Sequence, residues 1–507
     1  MHVSYSWTSL TVLLFSCLVL AVSADASPSN APSNLLYDIS SEINPKNIVR
    51  FTLGRTELPP SHLERRATQR PYTLMEPDLY PPATSAESVV QVPLTDIPRD
   101  YGYTAVFCIG TYDNPTSDSN QAMGSGQGSQ LFNLLLDTGS DLIVVTSAAS
   151  NDLECSSVRH RYDCSSSLTC APIQNLLTGS SRWVQGYGDG TIANGTLVQD
   201  TLRFVSSVSA DTTDISGTGM TTLQVFNQSI LVVDQPGLHL MKSYGAGVDG
   251  IIGLNLRSPV ISSTVVQSLQ RAEIAGTSSY PISSCPTYDC NGDLSTLQQG
   301  PASSMGVGFM SLWLTNSLAP GQGGELLLNA VDKSRFQGPI RWVDRGPSPY
   351  DWSIPLDRGL LLQDTARGTT VMVPGTDYTF AVLDSGSDGI YLQKAIYDAL
   401  FKQVPGAVQL KSGYWRVPCE GTTELVVGIQ GELYRIPYED WVKKPNHTSS
   451  MASIDDGGGA GPGMCQTKVY GSSPGPTLLG STFLRSVYTV FDFSRPGYER
   501  MGFATLV

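Results

Sequence analysis

Charged side chains are scarce in this 507-residue chain, at 15% of all residues, and basic ones are the scarcer kind. The 31 Lys and Arg stand against 45 Asp and Glu, which gives a formal net charge of −14 at pH 7. Nucleic-acid binding requires a basic face, so no nucleic-acid partner is expected. An acidic surface also suits work at low pH, where many carboxylates are protonated and repel one another less.

Histidine is rarer still, and no pattern typical of a metal site is present. The five histidines are scattered, and no Cys/His spacing matches a zinc site: His2, His62, His160, His239 and His447. The sequence therefore predicts neither a metal nor a cofactor.

Long hydrophobic runs are also missing beyond the N-terminus. Residues 10–22 are almost wholly apolar and are followed by the small residues Ser23 and Ala24, which predicts a signal peptide over 1–24 and hence secretion. An acidic vacuole is the alternative location. No later stretch reaches the roughly 18 apolar residues of a membrane helix, and 502–507 form no hydrophobic tail, so we expect no membrane anchor.

Glycine and proline, in contrast, are plentiful. The 49 glycines and 32 prolines suit a turn-rich, mostly β protein better than a helical one. Short strand-like runs occur throughout, for example at 221–226 and 230–233. Helical apolar spacing is confined to 260–275 and 395–403.

The chain has nine cysteines, of which Cys17 would leave with the signal peptide. Eight then remain in an exported chain, so disulfides are expected. Four of these cysteines allow three pairings, among which the sequence does not choose: Cys108, Cys155, Cys164 and Cys170.

One short phrase occurs twice, at 134–140 and at 381–387: an apolar run that ends in Asp-(Thr/Ser)-Gly-Ser. A single copy would be an ordinary turn, because Asp and Ser bond the local backbone, but two matching copies are much harder to obtain by chance. Each aspartate would lie at the exit of a buried strand, in a turn that needs glycine. Two such turns can bring Asp137 and Asp384 face to face, where like charges share one proton and act as acid and base.

A weaker repetition follows each aspartate. Two apolar residues and a glycine occur at 250–253 and again at 477–480. The chain is therefore interpreted as a diverged tandem duplication with one catalytic Asp in each half.

Together with two further segments, these motifs resemble the pepsin-like aspartic proteases, in particular secreted fungal-type endopeptidases, from about Val92 to Val507. Residues 184–191 resemble the flap hairpin of that family, and 479–492 are close to its C-terminal pattern. The resemblance implies a mostly β, bilobal fold: two pseudo-twofold-related β lobes, at 92–276 and 279–507, with an active-site cleft between them.

The resemblance implies an aspartic endopeptidase that hydrolyses peptide bonds at acidic pH through a water activated by an Asp-Asp dyad. Its substrates would be extended polypeptides, and the enzyme would be a monomer. The implied catalytic residues are Asp137 and Asp384. The residues implied to support this dyad are Thr138, Gly139, Ser140, Ser385, Gly386 and Ser387. The implied flap and substrate-binding residues are Tyr187, Gly188 and Asp189.

Processing and disulfides are implied as well. A propeptide would occupy 25–66, with Arg65-Arg66 as a dibasic processing site, or extend to about residue 88, which makes the chain a zymogen. Two disulfides fit the family's second half: Cys285 with Cys290, and Cys419 with Cys465.

Two features bear on the flap. Val144 stands where the family usually has a tryptophan that helps to hold the flap tyrosine, so the flap is freer or another residue substitutes. N-glycosylation triplets begin at Asn194, Asn227 and Asn446, and Asn194 lies just past the expected flap tip.

Three rival interpretations come from other classes. A non-catalytic relative that only binds proteins would typically have lost a dyad Asp or its turn, and both are intact here. Residues 471–475 fit the Gly-x-Ser-x-Gly motif of serine hydrolases, but the prolines that follow do not start the helix that this motif needs. Residues 384–389 resemble the start of a calcium loop but lack its downstream Glu.

Overall fold

The structure is a computed structural model. For 36–43 and 49–56 it describes the backbone alone. The other described residues are 90–97, 102–111, 130–150, 158, 160–174, 180–188, 190–205, 222–235, 247–259, 261, 263–272, 307–316, 322–377, 379–443, 463–472 and 475–507.

The described strands fall into two compact units. The unit over Ser9–Pro81 holds one antiparallel pair, β1 (Leu36–Ile43) and β2 (Val49–Thr56), within the segment for which a propeptide is predicted. All other described elements belong to the unit that contains Pro82–Val507.

The larger unit is built almost entirely from short strands. Its first half contains β3 (Val90–Asp96), β4 (Tyr103–Ile109), β5 (Gln130–Asp137), β6 (Ile143–Thr146), β7 (Ala171–Pro172), β8 (Arg182–Gly186), β9 (Ile192–Val205), β10 (Thr222–Gln235) and β11 (Gly250–Gly253). Its second half contains β12 (Phe309–Leu314), β13 (Gly324–Leu328), β14 (Phe336–Asp344), β15 (Ser353–Leu356), β16 (Leu360–Asp364), β17 (Thr369–Met372), β18 (Thr379–Leu383), β19 (Ile390–Gln393), β20 (Val408–Gln409), β21 (Trp415–Pro418), β22 (Thr423–Ile429), β23 (Glu432–Ile436), β24 (Val442–Lys443), β25 (Met464–Thr467), β26 (Val469–Ser472), β27 (Thr477–Leu479), β28 (Val487–Asp492) and β29 (Arg500–Leu506).

Helices are few and short among the described residues. They are a 3₁₀ turn at Cys164–Ser166 and α1 (Val265–Leu269), α2 (Lys394–Phe401), α3 (Tyr438–Trp441) and α4 (Ser481–Leu484). The prediction of a mostly β, bilobal fold is confirmed. A 14-stranded sheet runs from β14 through β29, β28, β12, β13, β3, β4, β5, β11, β6, β10 and β9 to β7, and β8 pairs with β9 beside this path. The sheet therefore takes strands from both halves.

The predicted duplication is visible in the strand order. In the first half, β11 pairs in parallel with β5 and antiparallel with β6, and β6 pairs in parallel with β10. In the second half, β27 pairs in parallel with β18 and antiparallel with β19, and β19 pairs in parallel with β26. The two quartets therefore have the same order and directions, and each contains one copy of the repeated phrase.

Two predicted elements differ from the structure. The runs at 221–226 and 230–233 form one strand, β10, because a register shift after Val225 and a left-handed Asn227 (φ 53°) bend the chain without ending it. The helical spacing at 260–275 produces only α1, which begins at Val265 because Thr264 and Gln267 form a reciprocal cap: Thr264 Oγ1 accepts from Gln267 N, and Gln267 Oε1 accepts from Thr264 N.

Candidate active site

The first repeated aspartate ends a strand whose last four residues are buried. Residues 134–136 are at most 1% exposed, and β5 is covered by β4 on one side and by β11 on the other. Asp137 is the last residue of β5, and its carbonyl oxygen accepts a hydrogen bond from Leu254 N at 2.7 Å. A strand that is paired on both edges cannot slip, so the position of the Asp137 carboxyl is set by the sheet.

The second repeated aspartate is held in the same way. Leu383 ends β18, and its N–H donates to Trp352 O at 3.0 Å, while Asp384 N donates to Leu479 O at 3.1 Å. Each aspartate thus leaves its strand beside the apolar-apolar-Gly segment of its own half.

Those two segments pass so close to the aspartate turns that only glycine fits. A Cβ on Gly253 would lie 2.7 Å from Ser140 O, and a Cβ on Gly480 would lie 2.4 Å from Ser387 O. Both distances are far below a van der Waals contact. The glycine that closes each repeated segment is therefore required by the close crossing of two backbones.

Hydroxyl groups join the two turns to each other. Thr138 Oγ1 donates to Leu383 O at 2.8 Å and accepts from Ser385 N at 2.9 Å. Ser385 Oγ donates to Leu136 O at 2.8 Å and accepts from Thr138 N at 3.1 Å. The arrangement is symmetric, and each hydroxyl satisfies one backbone donor and one backbone acceptor of the opposite half.

The two carboxyl groups face each other across this junction. Each accepts the N–H of the glycine in its own turn: Gly139 N to Asp137 Oδ1 at 2.9 Å, and Gly386 N to Asp384 Oδ1 at 3.0 Å. A Cβ on Gly139 would lie 2.6 Å from Asp384 Cγ, and a Cβ on Gly386 would lie 2.4 Å from Asp137 Oδ1. Each turn therefore leaves space at its glycine for the carboxyl of the other turn.

Burial and mutual repulsion favour the protonated form. Asp137 is 7% exposed and Asp384 is 9% exposed. Burial, followed by the negative charge of Asp384, raises the pKa of Asp137 well above its usual range, although hydrogen bonding to Gly139 offsets part of the rise. A carboxyl with a raised pKa beside a second carboxyl can hold a proton where ordinary aspartates have lost theirs.

The serines that end the two phrases are not equivalent. Ser387 Oγ donates to Asp384 Oδ2 at 2.6 Å. Ser140 Oγ, its counterpart, is buried and makes no hydrogen bond to any described residue, although it lies near enough to Asp137 to favour the charged form of that carboxyl. The serine hydroxyl therefore bonds the aspartate of its own turn in the second half, and no such bond is formed in the first half.

Comparison with known proteins agrees with this geometry. A profile of the eukaryotic aspartyl protease family matches residues 121–506. The chain belongs to that family. The resemblance inferred from the repeated phrase is thereby confirmed.

Named relatives lie at low identity. Cathepsin D of Homo sapiens is 27% identical over 400 residues, which cover 75% of this chain and 79% of the relative. The aspartic-type endopeptidase ctsD of Aspergillus fumigatus is 25% identical over 89% of this chain and 81% of its own length. A probable aspartic-type endopeptidase CTSD of Arthroderma benhamiae is 28% identical over 36% of this chain, and the match spans only 31% of that relative.

In this aspartyl protease, the segment predicted as the flap is a β-hairpin. Strands β8 and β9 pair antiparallel, and Tyr187 at the tip closes the turn: its N–H donates to Thr191 O at 3.0 Å, and its carbonyl accepts from Gly190 N at 3.0 Å. Gly188 is exposed, and Asp189 lies outside the described residues. The amide oxygen of Asn194, in β9, accepts from Arg182 Nη2 at 2.8 Å.

Val144, where the family usually has tryptophan, is buried in a small apolar cluster beside this hairpin. Tyr187 and Trp183 of the hairpin both pack against that cluster. The indole N–H of Trp183 is buried and makes no hydrogen bond to a described residue. An indole ring therefore packs against the same apolar cluster as Tyr187, but it is supplied by strand β8 of the hairpin.

Three residues near the dyad are not found by the sequence argument. Trp352 is fully buried and donates from Nε1 to Leu254 O at 2.8 Å, which connects the two halves beside the dyad. Asp141 and Asp388 each follow the repeated serine, so the phrase is one residue longer than the predicted motif. That fifth residue is the signal which could have directed attention to both aspartates.

Disulfides account for four of the five cysteines that the structure describes. Cys419 and Cys465, a pair implied by the resemblance, are bonded. Cys164 bonds Cys170, which selects one of the pairs that the sequence left open, and Cys108 is buried. The other implied pair, Cys285 with Cys290, lies outside the described residues, as does Cys155.

The rival motifs gain no support from the geometry. In the calcium-like loop, Asp388 Oδ2 already accepts from the Lys443 ammonium at 3.0 Å. The Gly-x-Ser-x-Gly motif starts at the end of β26, and the next described element is a strand, β27, where a hydrolase would have a helix. No cluster of three or more potential metal ligands occurs among the described side chains. In the same part of the chain, the helices are all too short or too polar to cross a membrane.

Proposed function

We propose that this protein is an aspartic endopeptidase that hydrolyses peptide bonds of proteins at acidic pH, with Asp137 and Asp384 as its catalytic dyad. The observation that carries the proposal is the reciprocal fit of each glycine against the opposite carboxyl. Membership of the aspartyl protease family and the raised pKa of Asp137 support it.

The chemistry needs one proton on the dyad and one water between the carboxyls. The ionised carboxylate removes a proton from the water, whose oxygen attacks the scissile carbonyl carbon, while the protonated carboxyl donates to the carbonyl oxygen. The tetrahedral diol then collapses as a proton passes to the leaving nitrogen. The proton belongs to the pair and is not assigned to one aspartate.

The neighbouring residues hold this pair. The N–H groups of Gly139 and Gly386 keep one oxygen of each carboxyl in place. The crossed bonds of Thr138 and Ser385 fix the separation of the two turns. Displacement of reacting groups by about 1 Å can cost 10²-fold in rate, so rigid turns are part of the mechanism.

Substrate would bind as an extended polypeptide between the lobes, which we assign to 92–276 and 279–507. The hairpin at 184–191 would act as the flap, with Tyr187, Gly188 and Asp189 over the bound chain. Backbone hydrogen bonds would supply affinity and side-chain pockets specificity.

The enzyme would be made as a secreted zymogen and act as a monomer. We assign 1–24 to a signal peptide and 25–66, or 25 to about 88, to the prosegment. Removal after Arg66 or near Ser88 would give the mature enzyme.

The decisive experiment measures cleavage of a denatured protein at pH 3 to 7, after acid processing, by the wild type and by Asp384→Asn. Loss of one carboxyl should lower the rate by about 10²–10⁴-fold, the range of general acid–base catalysis. Glu432→Gln, which changes an exposed carboxylate paired with Arg341, should keep the wild-type rate.

The outcomes separate the possibilities. Persistent cleavage by Asp384→Asn would place the chemistry elsewhere. Absence of cleavage by the folded, processed wild type would favour a protein that binds polypeptides without cutting them.

A further inference from the structure

An ionic cluster around one buried carboxylate lies at the end of the second aspartate's turn, and its lysine is 28% exposed. Asp388 is 8% exposed, and its Oδ2 accepts from Lys443 Nζ at 3.0 Å and from the Tyr470 hydroxyl at 2.8 Å. Its Oδ1 accepts from the Tyr391 hydroxyl at 3.1 Å. We call Asp388, Tyr391, Lys443 and Tyr470 the Asp388 cluster.

Members of the Asp388 cluster also contact one another directly. Lys443 Nζ also donates to the Tyr470 hydroxyl at 2.7 Å and lies 5.4 Å from the centre of that ring. Tyr391 and Tyr470 are directly opposite each other on β19 and β26, with ring centres 4.8 Å apart. Since Lys443 comes from β24, three strands converge on one carboxylate.

The cluster is continuous with the dyad. The carbonyl oxygen of Asp388 accepts from Thr482 Oγ1 at 2.6 Å and from Ser481 Oγ at 3.2 Å. The preceding residue, Ser387, is the one that donates to Asp384 Oδ2 at 2.6 Å. A displacement of Asp388 would therefore pass to the Asp384 carboxyl through a single intervening residue.

The corresponding aspartate of the first half has a different environment. Burial raises the pKa of Asp141, and the charge of Asp351 raises it further, while the Ser258 hydroxyl lowers it in part. No salt bridge of Asp141 with a described residue is found. An aspartate thus follows both turns, and the second of them is paired with a lysine.

We propose that Lys443, acting through Asp388, is a positioning residue of the second catalytic turn: it holds Asp384 in place and neutralises the negative charge of Asp388 beside the dyad. The inference rests on the proposed function, because it concerns how one of the two dyad aspartates is held. Loss of one partner from a buried ion pair leaves an uncompensated charge, and here that charge would act on the dyad.

Other charged groups occur on the segments packed around the cluster. Lys468 precedes β26, Arg485 follows α4, and both are buried, while Asp384 belongs to the same turn. All three stay unchanged in the variants below, so differences among those variants report Lys443 and Asp388.

The test compares the pH dependence of kcat for Lys443→Met, Asp388→Asn and the double variant. Lys443→Met leaves a negative charge, which favours a protonated dyad, so the alkaline limb of the profile should move to higher pH. Asp388→Asn leaves a positive charge and should move it to lower pH. Each shift should be roughly 0.3–1 pH unit, as Coulomb's law gives for a unit charge on the order of 10 Å away.

The remaining measurements distinguish the loss of the hold on the Asp384 turn from the change of charge beside the dyad. The double variant has lost both charges, so its pH profile should return to the wild-type position. Its kcat should nevertheless fall about tenfold, with KM changed less than about twofold, because the turn is no longer held. Lys443→Arg keeps the charge and should keep the profile. Lys394→Met, which breaks the exposed pair of Lys394 with Asp398 on α2, should resemble the wild type.

Shifts in the same direction for the two single variants, or a double variant with wild-type kcat, would overturn the proposal. If a single variant does not fold, the double variant decides, because it contains no unpaired buried charge. These results are read only against a wild type that cleaves, so failure of the proposed function is recognised separately.

Discussion

Gly139 and Gly386 show at the scale of single residues why the repeated phrase contains glycine. Each supplies an N–H to its own aspartate and leaves space for the carboxyl of the other turn. A tight turn alone would require glycine only for its backbone angles. Here the absent side chain is what allows two carboxyl groups to approach.

Gly139→Ala tests this reason. The new methyl group would lie 2.6 Å from Asp384 Cγ, so the carboxyl must move, and kcat should fall by about 100-fold or more while the fold is kept. Gly475→Ala is a matched control, because a Cβ there meets no atom within 4 Å. Steady-state kinetics with thermal unfolding would check both, and an active Gly139→Ala would show that the Asp384 carboxyl does not lie against Gly139 as described.

At the scale of elements, the site is made by two equivalent strand quartets that end at one junction. The order β5, β11, β6 and β10 matches β18, β27, β19 and β26. The crossed hydrogen bonds of Thr138 and Ser385 join the ends of β5 and β18, so neither aspartate turn is held by its own half alone.

Thr138→Val and Ser385→Ala measure how much this junction contributes to the free energy of unfolding. Each removes one hydroxyl and leaves a backbone donor and acceptor without that partner, so each should lower the free energy of unfolding by about 1–3 kcal/mol. The double variant should lose less than the sum, because both hydroxyls serve one contact. Thr138→Ser, which keeps the hydroxyl and matches Ser385, should cost less than about 1 kcal/mol in urea unfolding; a loss as large as that of Thr138→Val would contradict this account.

At the scale of the whole molecule, the buried dyad links stability to pH. Burial and the charge of Asp384 raise the pKa of Asp137 above its unfolded value. The folded state therefore binds a proton that the unfolded state has lost. This contribution is complete below the unfolded pKa of about 4 and is lost as the pH rises through the higher folded value.

Asp137→Asn has no proton to lose, so its stability relative to the wild type should increase from pH 4 to pH 7. The gain should be about 1.4 kcal/mol for each unit by which the pKa is raised. Asp398→Asn should show the opposite trend. Burial acts to raise the pKa of Asp398, but the hydrogen bonds from Lys394 and Trp415 outweigh it and lower that pKa. Rapid thermal scans, completed before self-digestion, would measure both variants. Parallel curves for Asp137→Asn and the wild type would rule out a raised pKa at Asp137.

Several features follow from the sequence alone because they depend on local pattern. An apolar run before Asp-(Thr/Ser)-Gly predicts a buried strand and a turn, and its two copies, with the flap-like and C-terminal segments, carry the resemblance to the family. The glycine and proline content predicts a β protein, and the implied pair of Cys419 with Cys465 is bonded. Element ends were less predictable, as the single strand β10 and the short helix α1 illustrate, because a bulge and a cap decide them.

Other features depend on contacts between residues far apart in the chain, which no local pattern encodes. The fit of Gly139 against Asp384 and the bond between Trp352 and Leu254 require both halves to be folded. The same applies to the pairing of Lys443 with Asp388, which converts a repeated aspartate into an ion pair in one half only. The sequence by itself determined which residue types meet, and the tertiary structure decided their burial and partners, because desolvation and charge depend on what surrounds a group in space.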